Sequence, residues 1–239
     1  MIRNIVFDMG QVLLRFDPAY FIERAGAAEE DKDLLLREVY KSLEWARMDR
    51  GSLTEAEAAE SMCRRLPERL HETVHALVDK WDRPILPVEG MEELIEELKQ
   101  KGYGIYLLSN ASYRQHEYWP RVPASRFFDG TLVSADVKLV KPQPEIYRLL
   151  CETFSLEPDE CVFIDDAINN AEGAFLCGMH PIVYHAPGVK NGLSAWQKNR
   201  GLRAPCFSLG SQSSSLTISA SGALRRMLSM PLRQEALAL

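Results

Sequence analysis

Short apolar runs and longer stretches of helical periodicity take turns along this chain. Residues 2–7, Gly104 to Leu108, residues 131–134, Cys161-Val162-Phe163-Ile164 and Pro181 to Tyr184 are compact and rich in branched or aromatic side chains, which predicts strands. Between them, Met91 to Gln100 repeats apolar side chains every three or four residues. Glutamates open that stretch, Lys99 and Lys101 close it and Gly102 follows, so a helix is expected with charges that complement its dipole and a glycine stop. A helix or turn is expected over 111–119. Pro142 predicts extended backbone at Lys141 and a helix over Glu145–Phe154, and another helix is expected from Asn170 to Cys177 with Gly178 as its stop. Strands and helices that alternate across short turns predict an α/β fold, a doubly wound, Rossmann-like parallel sheet with helices on both faces.

One stretch interrupts the alternation. From Pro18 to Leu77 the pattern is helical, with Phe21-Ile22, Leu34-Leu35-Leu36, Val39-Tyr40, Leu43 and Trp45 at helical spacing. Arg50-Gly51-Ser52 breaks the run. Ser52 or Thr54 can cap the next helix, and Glu55 and Glu57 suit its positive end. That helix passes Ala56, Ala59 and Met62 to a break at Pro67, and a further one is expected over Glu68–Val78. The expectation is an inserted helical cap, residues 16–83, over the strand ends of a core built from 1–15 and 84–186. After Pro187-Gly188 the pattern fades: six serines fall between Ser208 and Ser219, and Pro231 interrupts the spacing of Leu224, Leu228 and Leu232. Residues 187–239 read as a Ser/Gly-rich, poorly ordered tail.

Composition narrows the partners. A net charge of −6 over 239 residues speaks against a nucleic-acid binder, which needs a basic face. No apolar run is long enough for a membrane span, and Met1 to Asn4 enters the first strand without the apolar stretch of a secretion signal. Five cysteines, Cys63, Cys151, Cys161, Cys177 and Cys206, are scattered and form no CxxC pair. They read as small buried side chains in a reducing, cytoplasmic setting rather than as disulfides or zinc ligands.

Candidate chemistry collects where the strands end. The first strand runs into Asp8, the second into Ser109-Asn110 and the fourth into Asp165-Asp166, while Lys141 precedes Pro142 at a comparable position. In an open parallel sheet these carboxyl ends share one edge, which is where ligands bind. A carboxylate in an apolar run costs several kcal/mol unless it is paired or binds a cation. Carboxylates facing a hydroxyl, an amide and an amine outline a site for magnesium and phosphate.

The segments Phe7-Asp8-Met9-Gly10-Gln11-Val12-Leu13, Leu107-Leu108-Ser109-Asn110, Lys141-Pro142-Gln143-Pro144-Glu145-Ile146-Tyr147 and Val162-Phe163-Ile164-Asp165-Asp166 with Asn170 together resemble the four motifs of the haloacid dehalogenase superfamily. The branch most resembled is that of sugar-phosphate phosphatases and the N-terminal phosphatase domain of soluble epoxide hydrolase. The resemblance spans residue 2 to about 186. It implies a Mg2+-dependent hydrolase of small-molecule phosphate esters, sugar phosphates among them, acting through an aspartyl-phosphate; a monomer or weak dimer is expected. By position it implies Asp8 as nucleophile and, with Asp166 and the Gly10 carbonyl, as metal ligand. Asp165 and Asn170 support the metal shell, Ser109 and Asn110 bind phosphate, and Lys141 neutralises the phosphate and Asp8.

One departure stands out. Phosphatases of this superfamily usually carry a second aspartate two residues after the nucleophile as general acid and base, and here that position is Gly10. A positioned acid is worth ~10²–10⁴-fold, so either another group donates the proton or the leaving group is a good one, which favours anomeric sugar 1-phosphates or acyl phosphates. Asp17 and His116 are the alternative proton carriers that the sequence offers, each with a competing structural reading. His71 and His75 have metal-ligand spacing but lack the glutamate of a zincin helix, and read as one face of a cap helix. Trp45, Met48 and Tyr118-Trp119 read as packing residues, with Trp45 and Arg47 able to close over a substrate. Two other functions remain open: 2-haloacid dehalogenation, in which the aspartate attacks carbon without a metal, and a phosphate-binding protein without turnover.

Overall fold

The computed structural model describes residues 1–184, so the reading of residues 187–239 as a tail lies outside the described residues. Five parallel strands, β1 (Asn4–Phe7), β2 (Gly104–Ser109), β3 (Gly130–Val133), β4 (Cys161–Asp165) and β5 (His180–Val183), lie in the order β3-β2-β1-β4-β5. The sequence reversal on either side of β1 makes the sheet doubly wound, with β1 at its centre. Ile5 is level with Ile105 on one neighbour and Val162 on the other, and Phe7 with Leu107 and Ile164. Each strand differs from its expected span by one or two residues, because pairing begins where both neighbours are in register.

Burial follows the two-residue period of a strand. Ile5, Phe7, Ile105, Leu107, Val162 and Ile164 face one core layer, which they share with Met91, Leu94, Ile95 and Leu98. Val6, Leu108 and Phe163 face the opposite layer, filled by Ile146, Tyr147, Leu150 and Ala174. A strand apolar on both faces can only be a buried one, which is why β1 reads as an unbroken apolar run.

Among the described residues ten α-helices accompany the sheet: α1 (Pro18–Arg24), α2 (Lys32–Leu35), α3 (Leu43–Asp49), α4 (Glu55–Cys63), α5 (His71–Asp79), α6 (Met91–Gln100), α7 (Gln115–Tyr118), α8 (Ser134–Val137), α9 (Pro144–Phe154) and α10 (Ile168–Leu176). The helical stretch after Pro18 is more broken than its periodicity suggests. Gly26 takes a positive φ of 76° after α1, and Leu36–Tyr40 widens into a π-helical turn. Ser42 then starts α3 by accepting from Trp45 N at 3.1 Å. Thr54, not Ser52, caps α4 in a reciprocal box with Glu57. The expected helix over Glu68–Val78 is a 3₁₀ turn, Glu68–Leu70, followed by α5. Helices α1–α5 bury a third apolar cluster that includes Phe21, Ile22, Leu35, Val39, Met62 and Val74. Its edge and the edge of the α6 layer both pack on Trp81.

Candidate active site at the sheet edge

Backbone pairing carries Asp8 to the edge. Its N–H donates to the Ile164 carbonyl at 2.8 Å, which extends the β1–β4 ladder by one residue before the chain turns. The Met9 carbonyl then accepts from Leu13 and Leu14, and Gln11 takes φ 56°, so residues 9–14 fold back over the strand end. Pro142 follows Lys141 through a cis peptide bond ahead of α9. The Lys141 ammonium donates to Asp8 Oδ1 at 2.6 Å, Asp165 Oδ2 at 2.8 Å and the Leu108 carbonyl at 2.9 Å. All three hydrogens of the ammonium therefore have an acceptor.

The neighbours of Lys141 hold it in that position. Asn110 Oδ1 accepts from the Lys141 N–H at 2.8 Å, and Asn110 Nδ2 donates to the Lys141 carbonyl at 3.0 Å. Asp165 accepts from Ala167 N at 2.8 Å and from Asn170 Nδ2 at 3.0 Å. Asp165 thereby joins the end of β4 to the start of α10.

Asp8, Asp165 and Asp166 each offer an oxygen within 4.8 Å of the others, the one group of this kind among the described residues. The electrostatics are those of a crowded anionic site. Burial, with Asp165 and Asp166 nearby, pushes Asp8 up to about 7 in spite of Lys141. Burial and Asp165 push Asp166 up to about 6. Burial works against the charge on Lys141, but Asp165 and Asp8 hold it above the usual lysine value. Three carboxylates around one ammonium leave two negative charges uncompensated, which is the charge of one divalent cation. The donor set therefore fits a small hard dication.

A cavity of about 280 Å³ opens in front of this group. The strand ends and the loops and helix that follow them contribute Asp8, Gly10, Asn110, Lys141, Asp166 and Asn170, and the helical stretch, its two junctions and α7 contribute Phe16, Trp45, Asp49, Trp81 and Tyr118. The volume is at the small end for ligand sites. Of the site residues expected from sequence, Ser109 and Asp165 stand back from the cavity: they are 1% and 0% exposed, and the three residues after Ser109 form the wall. Asn110 turns its amide to the Lys141 backbone. Asn170 holds Asp165 directly.

Neither alternative proton carrier reaches the cavity. Asp17 caps α1 by accepting from Tyr20 N at 3.1 Å, and His116 pairs with Asp136 on the surface at 3.0 Å. His71 and His75 lie on α5, and His71 Nε2 is 3.0 Å from the Leu66 carbonyl. Met48 is buried in the α1–α5 cluster and Trp119 packs on Phe128, whereas Trp45 and Tyr118 face the cavity. Arg47 is exposed away from it. Sequence reading missed Phe16, Trp81 and Asp49. Asp49 ends α3 as an ordinary polar residue before a turn, so no local pattern marks it.

Comparison with known proteins gives the same frame. The family model for haloacid dehalogenase-like hydrolases matches residues 2–178. The drimenol cyclase drtB of Aspergillus calidoustus is 26% identical over 189 residues, covering 77% of this chain and only 34% of that protein. The chain thus spans about a third of the length of that relative. A phosphorylated carbohydrates phosphatase of Thermotoga maritima is 25% identical over 181 residues, covering 74% of this chain and 82% of that one. Among solved structures, a HAD family enzyme of Bacteroides thetaiotaomicron in complex with magnesium and inorganic phosphate has TM-score 0.59 and 21% identity, over 84% of this chain and 100% of that one. The L-2-haloacid dehalogenase of Xanthobacter autotrophicus has TM-score 0.62 and 17% identity, over 95% and 98%. Both share the fold with this chain. No described helix is long and apolar enough to cross a membrane.

Proposed function

The chain belongs to the haloacid dehalogenase-like hydrolases, and we propose from that membership that it is a magnesium-dependent phosphatase of small phosphorylated metabolites, sugar phosphates first among them. The observation that carries this reading is the buried Lys141 ammonium shared between Asp8 and Asp165, with Asp166 in the same cluster at the cavity floor. Asp8, Asp166 and the Gly10 carbonyl hold the metal, which supplies positive charge to the phosphoryl oxygens and to the attacking carboxylate.

The side chains do the rest. Asp8 Oδ2 is not the oxygen bonded to Lys141, and it attacks phosphorus while Lys141 keeps Oδ1 fixed. The phosphorus–oxygen bond to the leaving group breaks and an aspartyl-phosphate forms. Water then releases phosphate and restores Asp8. Asn110 keeps the Lys141 backbone in register, and donors around Asn110 and Ser112 receive the phosphoryl oxygens. The four aromatic rings across the cavity exclude water and offer apolar faces to a small organic group.

Attack on a carbon–halogen bond needs no metal and gains nothing from a third carboxylate in the cavity, so Asp166 favours the phosphatase over a dehalogenase. Hydrolysis of p-nitrophenyl phosphate is expected with magnesium and is lost on chelation. Asp8→Asn is expected to lower it by on the order of 10⁴-fold or more. Metal-independent release of halide from 2-chloropropionate, with no phosphate release, would reverse the assignment.

A further inference from the structure

Phosphoryl transfer to Asp8 expels an oxygen that is strongly basic when it belongs to an alcohol or sugar, and such an oxygen must be protonated as it leaves. At Gly10 there is no side chain to do this, although a Cβ there would lie 3.8 Å from Asp8 Oδ2, an ordinary contact. The titratable residues that line the cavity are Asp8, Asp49, Tyr118, Lys141 and Asp166. Asp8 is the nucleophile, Asp166 is a metal ligand and Lys141 is held by three acceptors. Tyr118 is a phenol that burial holds well above its ordinary value.

Asp49 remains. It sits on the helical side of the cavity, and its carboxyl has no hydrogen-bond partner among the described residues. Its backbone, by contrast, is tied down. Ser134 Oγ donates to the Asp49 carbonyl and accepts from Ala111 N at 2.9 Å, linking the end of α3 to the loop after β2. Two residues on, the Gly51 carbonyl accepts from the Lys138 ammonium. Gly51 has φ 69° and packs so closely on Ala135 that no side chain fits there. The end of α3 is therefore docked on α8 with Asp49 facing the cavity, as a positioned acid requires.

We propose that the Asp49 carboxyl is the proton donor to the leaving oxygen and, as a carboxylate, the base for the water that hydrolyses the aspartyl-phosphate. This rests on the phosphatase reading above. In the first half the electron pair of the breaking phosphorus–oxygen bond goes to the leaving oxygen, which takes the Asp49 proton. In the second half water attacks the phosphoryl group, its proton returns to Asp49, and phosphate and free Asp8 result. The environment suits the role: burial, then the negative charge of Glu55 on α4, push Asp49 up to about 8, so it is protonated near neutrality. The other titratable groups near it are Tyr118 of α7, which feels the Asp49 charge, Lys138 at the Gly51 carbonyl, and Asp8, Asp166 and Lys141 in the same cavity.

The test compares kcat/KM for aryl phosphates of rising leaving-group basicity, from p-nitrophenyl to phenyl phosphate, in the wild type, Asp49→Asn and Asp49→Glu, all with magnesium. Asp49→Asn is expected to lose a few-fold on p-nitrophenyl phosphate and on the order of 10²-fold on phenyl phosphate. It also loses the fall in kcat/KM that the wild type shows as pH rises past about 8, because only the protonated carboxyl donates. Asp49→Glu keeps a carboxyl and retains the shallower dependence on leaving group. A uniform loss across the series, or none, in an Asp49→Asn protein that still depends on Asp8 overturns the role of Asp49 and leaves the phosphatase reading standing. A wild type that hydrolyses no aryl phosphate overturns both.

Discussion

The two walls of the cavity are made in opposite ways. On the sheet side the buried charges around Lys141 are held by others: Lys141 by three acceptors, its backbone by Asn110, and Asp165 by Ala167 and Asn170. On the helical side the wall is a set of rings packed edge to face, with Phe16 and Trp81 centroids 5.2 Å apart and Trp81 and Tyr118 at 5.1 Å. A single carboxyl, Asp49, interrupts it. Under the phosphatase proposal the difference follows from what each wall would do. Charges that act on a phosphoryl group must not reorganise during the reaction, so they are fixed by hydrogen bonds on rigid strand ends. A surface that meets varied organic groups needs shape and dryness, which aromatic packing supplies. Trp81 and Asp82 join the two: Trp81 packs with both clusters, and the buried Asp82 carboxylate accepts from Arg114 at 2.7 Å and from Arg121.

This contrast can be broken from either side. Lys141→Met strikes the polar wall hardest, because it leaves Asp8 and Asp165 buried without their shared cation. A loss of about 3–5 kcal/mol is expected in urea denaturation, along with at least ~10³-fold in phosphate-ester turnover. Added magnesium should recover part of the stability and little of the activity, since the ion binds the folded state but does not replace the amine. An unchanged denaturation midpoint would deny that the ammonium organises this wall.

Asn110→Ala probes the same wall more gently. It removes two hydrogen bonds to the Lys141 backbone, worth about 1 kcal/mol each, and is expected to slow turnover about tenfold through a displaced lysine. If Asn110 acted only by binding phosphate, the stability of the free protein would not move. Trp45→Ala tests the other wall and should have the smallest effect. KM for the best substrate of a phosphate-ester panel should rise several-fold with kcat nearly constant, the signature of binding shared by ground and transition states. A fall in kcat with KM unchanged would place Trp45 with the reacting groups instead.

Some of this was legible in the chain. The buried strands announced themselves as apolar runs because a strand covered on both faces has no polar side to show, and their ends carried Asp8, Asp165 and Asp166. The break-up of the helical stretch was harder to see. Its interruptions depend on Gly26, on the π turn at Leu36–Tyr40 and on whether Ser52 or Thr54 takes the cap, choices that packing makes among locally similar options. Asp17 was a reasonable candidate acid by type and position, but its geometry suits a helix start, and it caps α1.

The sequence by itself determined the alternating architecture, the carboxyl-edge location of Asp8, Asn110, Lys141 and Asp166, and the missing side chain at position 10, because strand and helix periods and strand-end chemistry are local properties. Only the tertiary structure decided that Lys141 bridges Asp8 and Asp165 and that Asn110 serves the lysine backbone. It alone also brought Asp49 to the opposite wall, through a Ser134 contact spanning 85 residues of chain. The physical reason is the range of the interactions: periodicity is set by neighbours three or four residues away, whereas a buried charge finds its partners only when distant segments close around it.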